Sequence, residues 1–259
     1  MSYSKQQKIF YLSLVVSLVF RFLSEFLTIE QSTGFLKPGF KVLGYVFGII
    51  CVLAAVLSGF VSYKTDDLSE NFYDGDILTA LSSVAISVFM IFDIFTLENL
   101  SIYPSWEIFL IYVSSVLTAL FFFVFALKNM FGFNLPGFCY VLPMLYGAVK
   151  LIRIFASTST ITLITENTFG VLSACSQMLF FLEFAKIYNG YNGKRDKSSL
   201  LAFGNVCAII CLSSSLPIIV STLFANGTLH ESIMSVMTVC ATGLLALCFN
   251  SYVFENKKN

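Results

Sequence analysis

Eight apolar stretches, each about long enough to cross a bilayer as a helix and nearly free of charge, run through this chain. They fall at 9–28, 40–63, 77–97, 106–127, 136–156, 168–188, 199–222 and 232–254. Little is left over for a soluble domain. A soluble domain averages about 25% charged residues, whereas this chain of 259 residues has 12% and is 57% hydrophobic. It cannot cover itself with a polar surface, so lipid must be its solvent. The expected fold is therefore all-α, a polytopic membrane helical bundle of about eight transmembrane helices forming a single integral membrane domain over 1–259. The first stretch is too long for a signal-peptide core and carries Arg21 and Glu25, so it is read as a span.

Lysine and arginine orient the set, because cytoplasmic loops carry an excess of them. With the N-terminus inside, Lys5, Lys8, Lys64, Lys128, Lys186, Lys194, Arg195, Lys197, Lys257 and Lys258 fall on the cytoplasmic side. Only Lys37 and Lys41 fall outside, and Arg21, Lys150 and Arg153 lie within spans. Both termini are thus expected in the cytoplasm, with the protein in the plasma (cell) membrane. The segments 64–76 and 189–198 read as cytoplasmic loops, the second as a turn-rich, solvated linker. Two glycosylation patterns, Asn99-Leu-Ser101 and Asn226-Gly-Thr228, fall in loops expected outside.

Eight spans also admit a parallel 4+4 repeat with halves 1–130 and 131–259, in which Arg21 and Arg153 correspond. The competing reading is that each arginine simply snorkels toward its nearer interface.

Charges at membrane depth are costly and default to a pair or a site. Arg21 and Glu25 share one face of the first span, Lys150 and Arg153 one face of the fifth, and Asp93 lies in the third. Glu166 and Asn167 open the sixth, and His230 and Glu231 the eighth. Parity of the spans puts all of them toward the outer side. In one reading they neutralise each other, Arg21 with Glu25, and Lys150 and Arg153 with Asp93 and Glu166. In the other, Arg21, Lys150 and Arg153 line an outward-facing pocket for a small anionic or carboxylate-bearing ligand, which arginine can grip through two parallel hydrogen bonds. Pro143, expected to interrupt the fifth helix, and Pro217 in the seventh mark candidate helix breaks whose freed carbonyls, with Ser213, Ser214 and Ser215, could line that pocket.

Three smaller features belong to packing. Gly44-x-x-x-Gly48 permits close helix contact within the bundle. Gln177 and Asn205 are expected to hydrogen-bond between helices, and Glu183 to pair with Lys186. Seven cysteines, all in apolar stretches, read as packing thiols.

Several chemistries lack their residues. His230 is the one histidine, so HExxH zinc and bis-histidine haem sites are excluded. There is no GxSxG elbow and no GxxxxGK[ST] phosphate loop. No catalytic set, metal site or cofactor is expected, and the chain is read as a non-enzyme. A net charge of zero implies no nucleic-acid partner. Two functions lead, a small-solute transporter or ligand-binding membrane subunit first and a non-transporting accessory or scaffold protein second; a membrane enzyme, third, would have to use Glu25, Asp93 or Glu166 as a general acid or base. The second would act through its cytoplasmic loops, with the acidic segment 64–76 docking a protein partner.

Overall fold

The computed structural model describes residues 3–29, 37, 39–64, 77–97, 105–157, 164–191, 193–225 and 232–255. These form eight α-helices: α1 (Tyr3–Leu23), α2 (Lys41–Tyr63), α3 (Ile77–Leu97), α4 (Ser105–Phe131), α5 (Leu142–Ser157), α6 (Ile164–Tyr188), α7 (Lys194–Ala225) and α8 (Ile233–Glu255). A π-helical turn, Ser24–Thr28, continues α1, and a 3₁₀ segment, Gly137–Val141, leads into α5. Eight helical segments are long and apolar enough to cross a membrane, as a multi-pass membrane protein requires.

The radial distribution of side chains fits lipid as the solvent. Outward positions are large and apolar: Val42, Ile49, Leu53, Val56 and Phe60 on α2, and Leu78, Leu81, Phe92 and Phe95 on α3 are all exposed. Small polar residues lie inside instead. Ser17, Ser58, Ser62, Ser83, Ser87, Ser213 and Asn205 are buried. Small residues let helix backbones approach, and in lipid it is packing and hydrogen bonding, rather than apolar burial, that hold helices together.

The centre of the bundle is α7. It packs against α1, α2, α6 and α8, while α3 joins α4 to α8 and α5 joins α4 to α6. Some 67% of its span is buried, against 28% for α2 at the periphery. The approach of α2 to α7 depends on Gly59, where a Cβ would stand 2.7 Å from Val206 Cγ2 and 3.4 Å from the Ala202 carbonyl. Beside this contact a polar ladder ties three helices. Asn250 Nδ2 on α8 donates to Asn205 Oδ1 on α7 at 2.7 Å, and Asn205 Nδ2 donates to Ser62 Oγ on α2 at 2.6 Å. Gln177 on α6 donates to Cys211 Sγ on α7 at 3.5 Å, so both expected interhelical amide bonds form. Gly48 faces Phe169 of α6, which places the small-residue pair of α2 inside the bundle.

Three boundaries differ from the sequence reading. α1 extends back to Tyr3, six residues before the apolar stretch, because nothing in the polar segment before it breaks a helix. The linker expected at 189–198 is shorter, since α7 already begins at Lys194. α6 stops at a Schellman turn, in which Tyr191 N–H donates to Lys186 O and Gly190 N–H to Ile187 O, with Gly190 at φ 93°. The polar residues Lys194–Ser198 then form the first turn of α7, because helix propensity does not require apolarity. Finally, Pro143 does not interrupt α5. It is the second residue of that helix, just after the 3₁₀ segment, where a missing N–H costs nothing. Pro217, by contrast, does lie inside its helix, α7.

Candidate functional site: two polar clusters at one end of the bundle

Arg21 with Glu25, and Asp93 with Lys150, form two clusters where α1, α3, α5 and α7 finish and α6 and α8 begin.

The first centres on Arg21. Its side chain leaves the last turn of α1 and is 1% exposed, making it the largest fully buried side chain among the described residues. Glu25, 4% exposed, lies one turn on within the π-helical turn. Arg21 Nη2 stands 3.6 Å from Glu25 Oε2, an ion pair too long for a hydrogen bond. α7 supplies Ser221, whose Oγ donates to Glu25 Oε1 at 3.5 Å. α6 supplies Phe169, with the Arg21 Cζ 4.5 Å from its ring centroid, a cation–π contact in a desolvated setting. Arg21 Nε and Nη2 have no hydrogen-bond partner among the described residues. A buried guanidinium with unspent donors is an expensive arrangement, because each unmade bond forfeits desolvation energy. The π-helical geometry adds to the singularity of the place, since single π turns are frequent at functional sites. Thr28 Oγ1 closes this turn on the Ser24 carbonyl at 2.5 Å.

The second cluster joins α3, α5 and α8. Ser232 caps α8, its Oγ accepting the Ser235 N–H at 3.1 Å and donating to Asp93 Oδ1. Lys150 Nζ donates to Ser235 Oγ at 3.4 Å. Lys150 therefore reaches the Asp93 cluster through two serines, and the Asp93 carboxylate sits at the N-terminus of α8, where the helix dipole favours negative charge.

Of the residues singled out by sequence, the structure brings together Arg21 with Glu25, and Lys150 with Asp93. Arg153 lies half-buried one turn beyond Lys150 on α5. Arg21 and the pair Lys150 and Arg153 stand on helices with different neighbours: α1 packs on α2 and α7, and α5 on α4 and α6. Glu166 and Asn167 fall in the first turn of α6, with their side chains outside the described residues. His230, Glu231, both glycosylation patterns and all of 64–76 except Lys64 also lie outside. The hydroxyls of Ser213, Ser214 and Ser215 turn back onto α7 carbonyls, to Ile210 and Cys211. Glu183 pairs with Lys186 at 2.7 Å, as expected.

Sequence reasoning missed the residues that complete these clusters, Phe169, Ser221, Ser232 and Ser235, because their types are common in membrane helices. It also missed a buried cation at the opposite end. Lys128, which the sequence counts only among the cytoplasmic-side cations near the end of α4, is 7% exposed. Its Nζ donates to Tyr140 Oη at 3.0 Å and lies 4.3 Å from the Tyr188 ring centroid. Tyr140 and Tyr188 are themselves stacked, with centroids 4.4 Å apart. The clue available was local: the aromatic run Phe121-Phe122-Phe123 one to two turns before the lysine.

No family model, curated protein or solved structure matches this chain, so any functional reading comes from its own residues.

Proposed function

We propose that this chain is a plasma-membrane carrier or ligand-binding subunit, not an enzyme, that takes up or holds a small carboxylate-bearing solute at Arg21. The observation behind it is the unspent hydrogen-bonding capacity of a guanidinium that is almost wholly buried. A carboxylate is the ligand shape that two neighbouring guanidinium N–H groups fit, and the Phe169 face would sandwich the bound pair from one side. Arg21 is 1% exposed, so entry of a solute requires the helix ends to separate. The short π-helical turn between Arg21 and the end of the first span is a natural place for that movement. The lysine and arginine bias orients the Arg21 end outward and both termini into the cytoplasm.

Thermal unfolding of the purified protein in detergent tests the reading, with small carboxylates such as acetate, lactate and glutamate added against matched chloride. A ligand at a hundred times its Kd adds about 2.7 kcal/mol to stability. At least one carboxylate is expected to raise the Tm of the wild type by several degrees. Arg21→Lys is expected to lose that shift, because a lysine ammonium cannot reproduce the two-pronged geometry. If no carboxylate moves the wild-type Tm and a stoichiometric protein partner co-purifies instead, the accessory or scaffold function replaces this one.

A further inference from the structure

We propose, on the reading that Arg21 binds a carboxylate, that Glu25 is the proton-coupling residue of that site. A ligand carboxylate displaces Glu25 from Arg21, and Glu25 takes up one proton from the aqueous phase.

Charge balance in a desolvated place sets the requirement. Among the described residues the site holds one guanidinium and one carboxylate, 3.6 Å apart, whose charges cancel. An incoming ligand makes two carboxylates for one cation. A buried charge without a partner is far costlier than a neutral carboxylic acid, so the surplus is removed by protonating one of the two groups. The guanidinium side of the pair is loosely made, with Arg21 Nε and Nη2 donating no hydrogen bond among the described residues. A better-fitting carboxylate finds those donors unspent.

The surroundings suit both forms of Glu25. Ser221 Oγ, 3.5 Å from Oε1, donates to the ionised carboxylate and can rotate to accept from the acid, since a hydroxyl does both. Other described ionisable groups are few. α1 and its π turn carry Arg21 itself. On α2, Cys51 exchanges hydrogen bonds with Ser17 of α1, while Lys41 and Tyr45 are exposed. From the connection between α1 and α2, Lys37 Nζ bonds the Phe26 carbonyl at the exposed rim. The half of α7 beside Glu25, 213–225, has no ionisable side chain. Among the described residues the proton balance is therefore set by Arg21, Glu25 and the ligand. Before binding there are Arg⁺, Glu⁻ and a ligand anion with a proton in water; afterwards there are Arg⁺, the ligand anion and neutral Glu. In a carrier this couples one proton to each carboxylate moved.

The test uses the full chain in nanodiscs with acetate as the probe. Proton uptake is counted by titration calorimetry in buffers of different ionisation enthalpy, and the Glu25 acid is followed by its infrared carbonyl band. The wild type is expected to take up about one proton per acetate and to develop the band. Glu25→Gln is expected to bind acetate with no proton uptake and with an affinity that does not change with pH. Arg21→Gln is expected to show the band without acetate, and Arg21→Gln/Glu25→Gln to lack it. Acetate binding that requires Arg21 but takes up no proton would overturn the coupling and leave the ligand site standing. Failure of acetate to bind would count against the ligand reading, and Arg21→Gln alone then decides the coupling: a band supports it and no band overturns it. If Arg21→Gln is unfolded at neutral pH, folding restored by acid supports a Glu25 that can be neutralised, and failure at both overturns it.

Discussion

Arg21→Ala is expected to destabilise the protein by about 3–5 kcal/mol at neutral pH, the largest effect of any single side chain at this end of the bundle. The substitution removes a buried guanidinium with its contact to Phe169, and leaves the Glu25 carboxylate, 4% exposed and hydrogen-bonded by Ser221, without its cation. Most of the cost is the stranded charge, not the lost pair. Two results follow from that. Arg21→Ala/Glu25→Ala should recover most of the loss, because both charges then leave together. The deficit of Arg21→Ala should also shrink in acid, where protonation of Glu25 removes the stranded charge. Chemical unfolding in mixed micelles at two pH values measures both. If the double variant is as unstable as the single one, the pair contributes through packing rather than charge.

The second large effect is expected at Gly59. A leucine there must find room where even a Cβ meets Val206 Cγ2 at 2.7 Å. Val206 can turn its methyl aside, but the Ala202 carbonyl at 3.4 Å belongs to the backbone of the central helix. Gly59→Leu therefore pushes α2 off α7 and stretches the Ser62–Asn205 hydrogen bond one turn away. Overpacking of this kind costs about 1–3 kcal/mol, and the lost interhelical bond adds about 0.6 more. Gly59→Ala should cost much less, because the methyl demands movement of one side chain. Unfolding of both variants under the same conditions gives the comparison. Equal stabilities for the two would show that α2 and α7 are not closely apposed at this point.

These two residues show what was legible in the sequence and what was not. The spans were legible because lipid imposes one requirement on every spanning helix: about twenty residues with few charges. The Arg21–Glu25 and Glu183–Lys186 pairs were legible because both partners share one helix, where spacing fixes geometry. Partners on other helices were not. Phe169 lies 148 residues from Arg21 and Ser221 lies 196 residues from Glu25, and nothing in helical periodicity states which faces of α1, α6 and α7 meet. The same ignorance of azimuth leaves the sequence silent on whether Arg21, Lys150 and Arg153 face one another, and α1 and α5 pack on different neighbours. Pro143 was misplaced because hydropathy marks where a chain is apolar, not where 3₁₀ geometry gives way to α. The burial of Lys128 was not legible because Tyr140 and Tyr188, which enclose it, lie on other elements.

The account depends on α7 crossing a lipid bilayer with its Lys194 end inside the cell. Cysteine labelling on either side of that helix tests this most directly. Tyr191→Cys, at an exposed position before α7, and Asn226→Cys, just beyond its last residue Ala225, are each treated on intact cells with a membrane-impermeant maleimide, and the wild-type background is subtracted. Labelling of Asn226→Cys alone in intact cells, with Tyr191→Cys reacting only after the membrane is opened, is the result the account predicts. Labelling of both from outside would contradict a membrane-spanning α7, and labelling of Tyr191→Cys alone would turn the Arg21 site toward the cytoplasm.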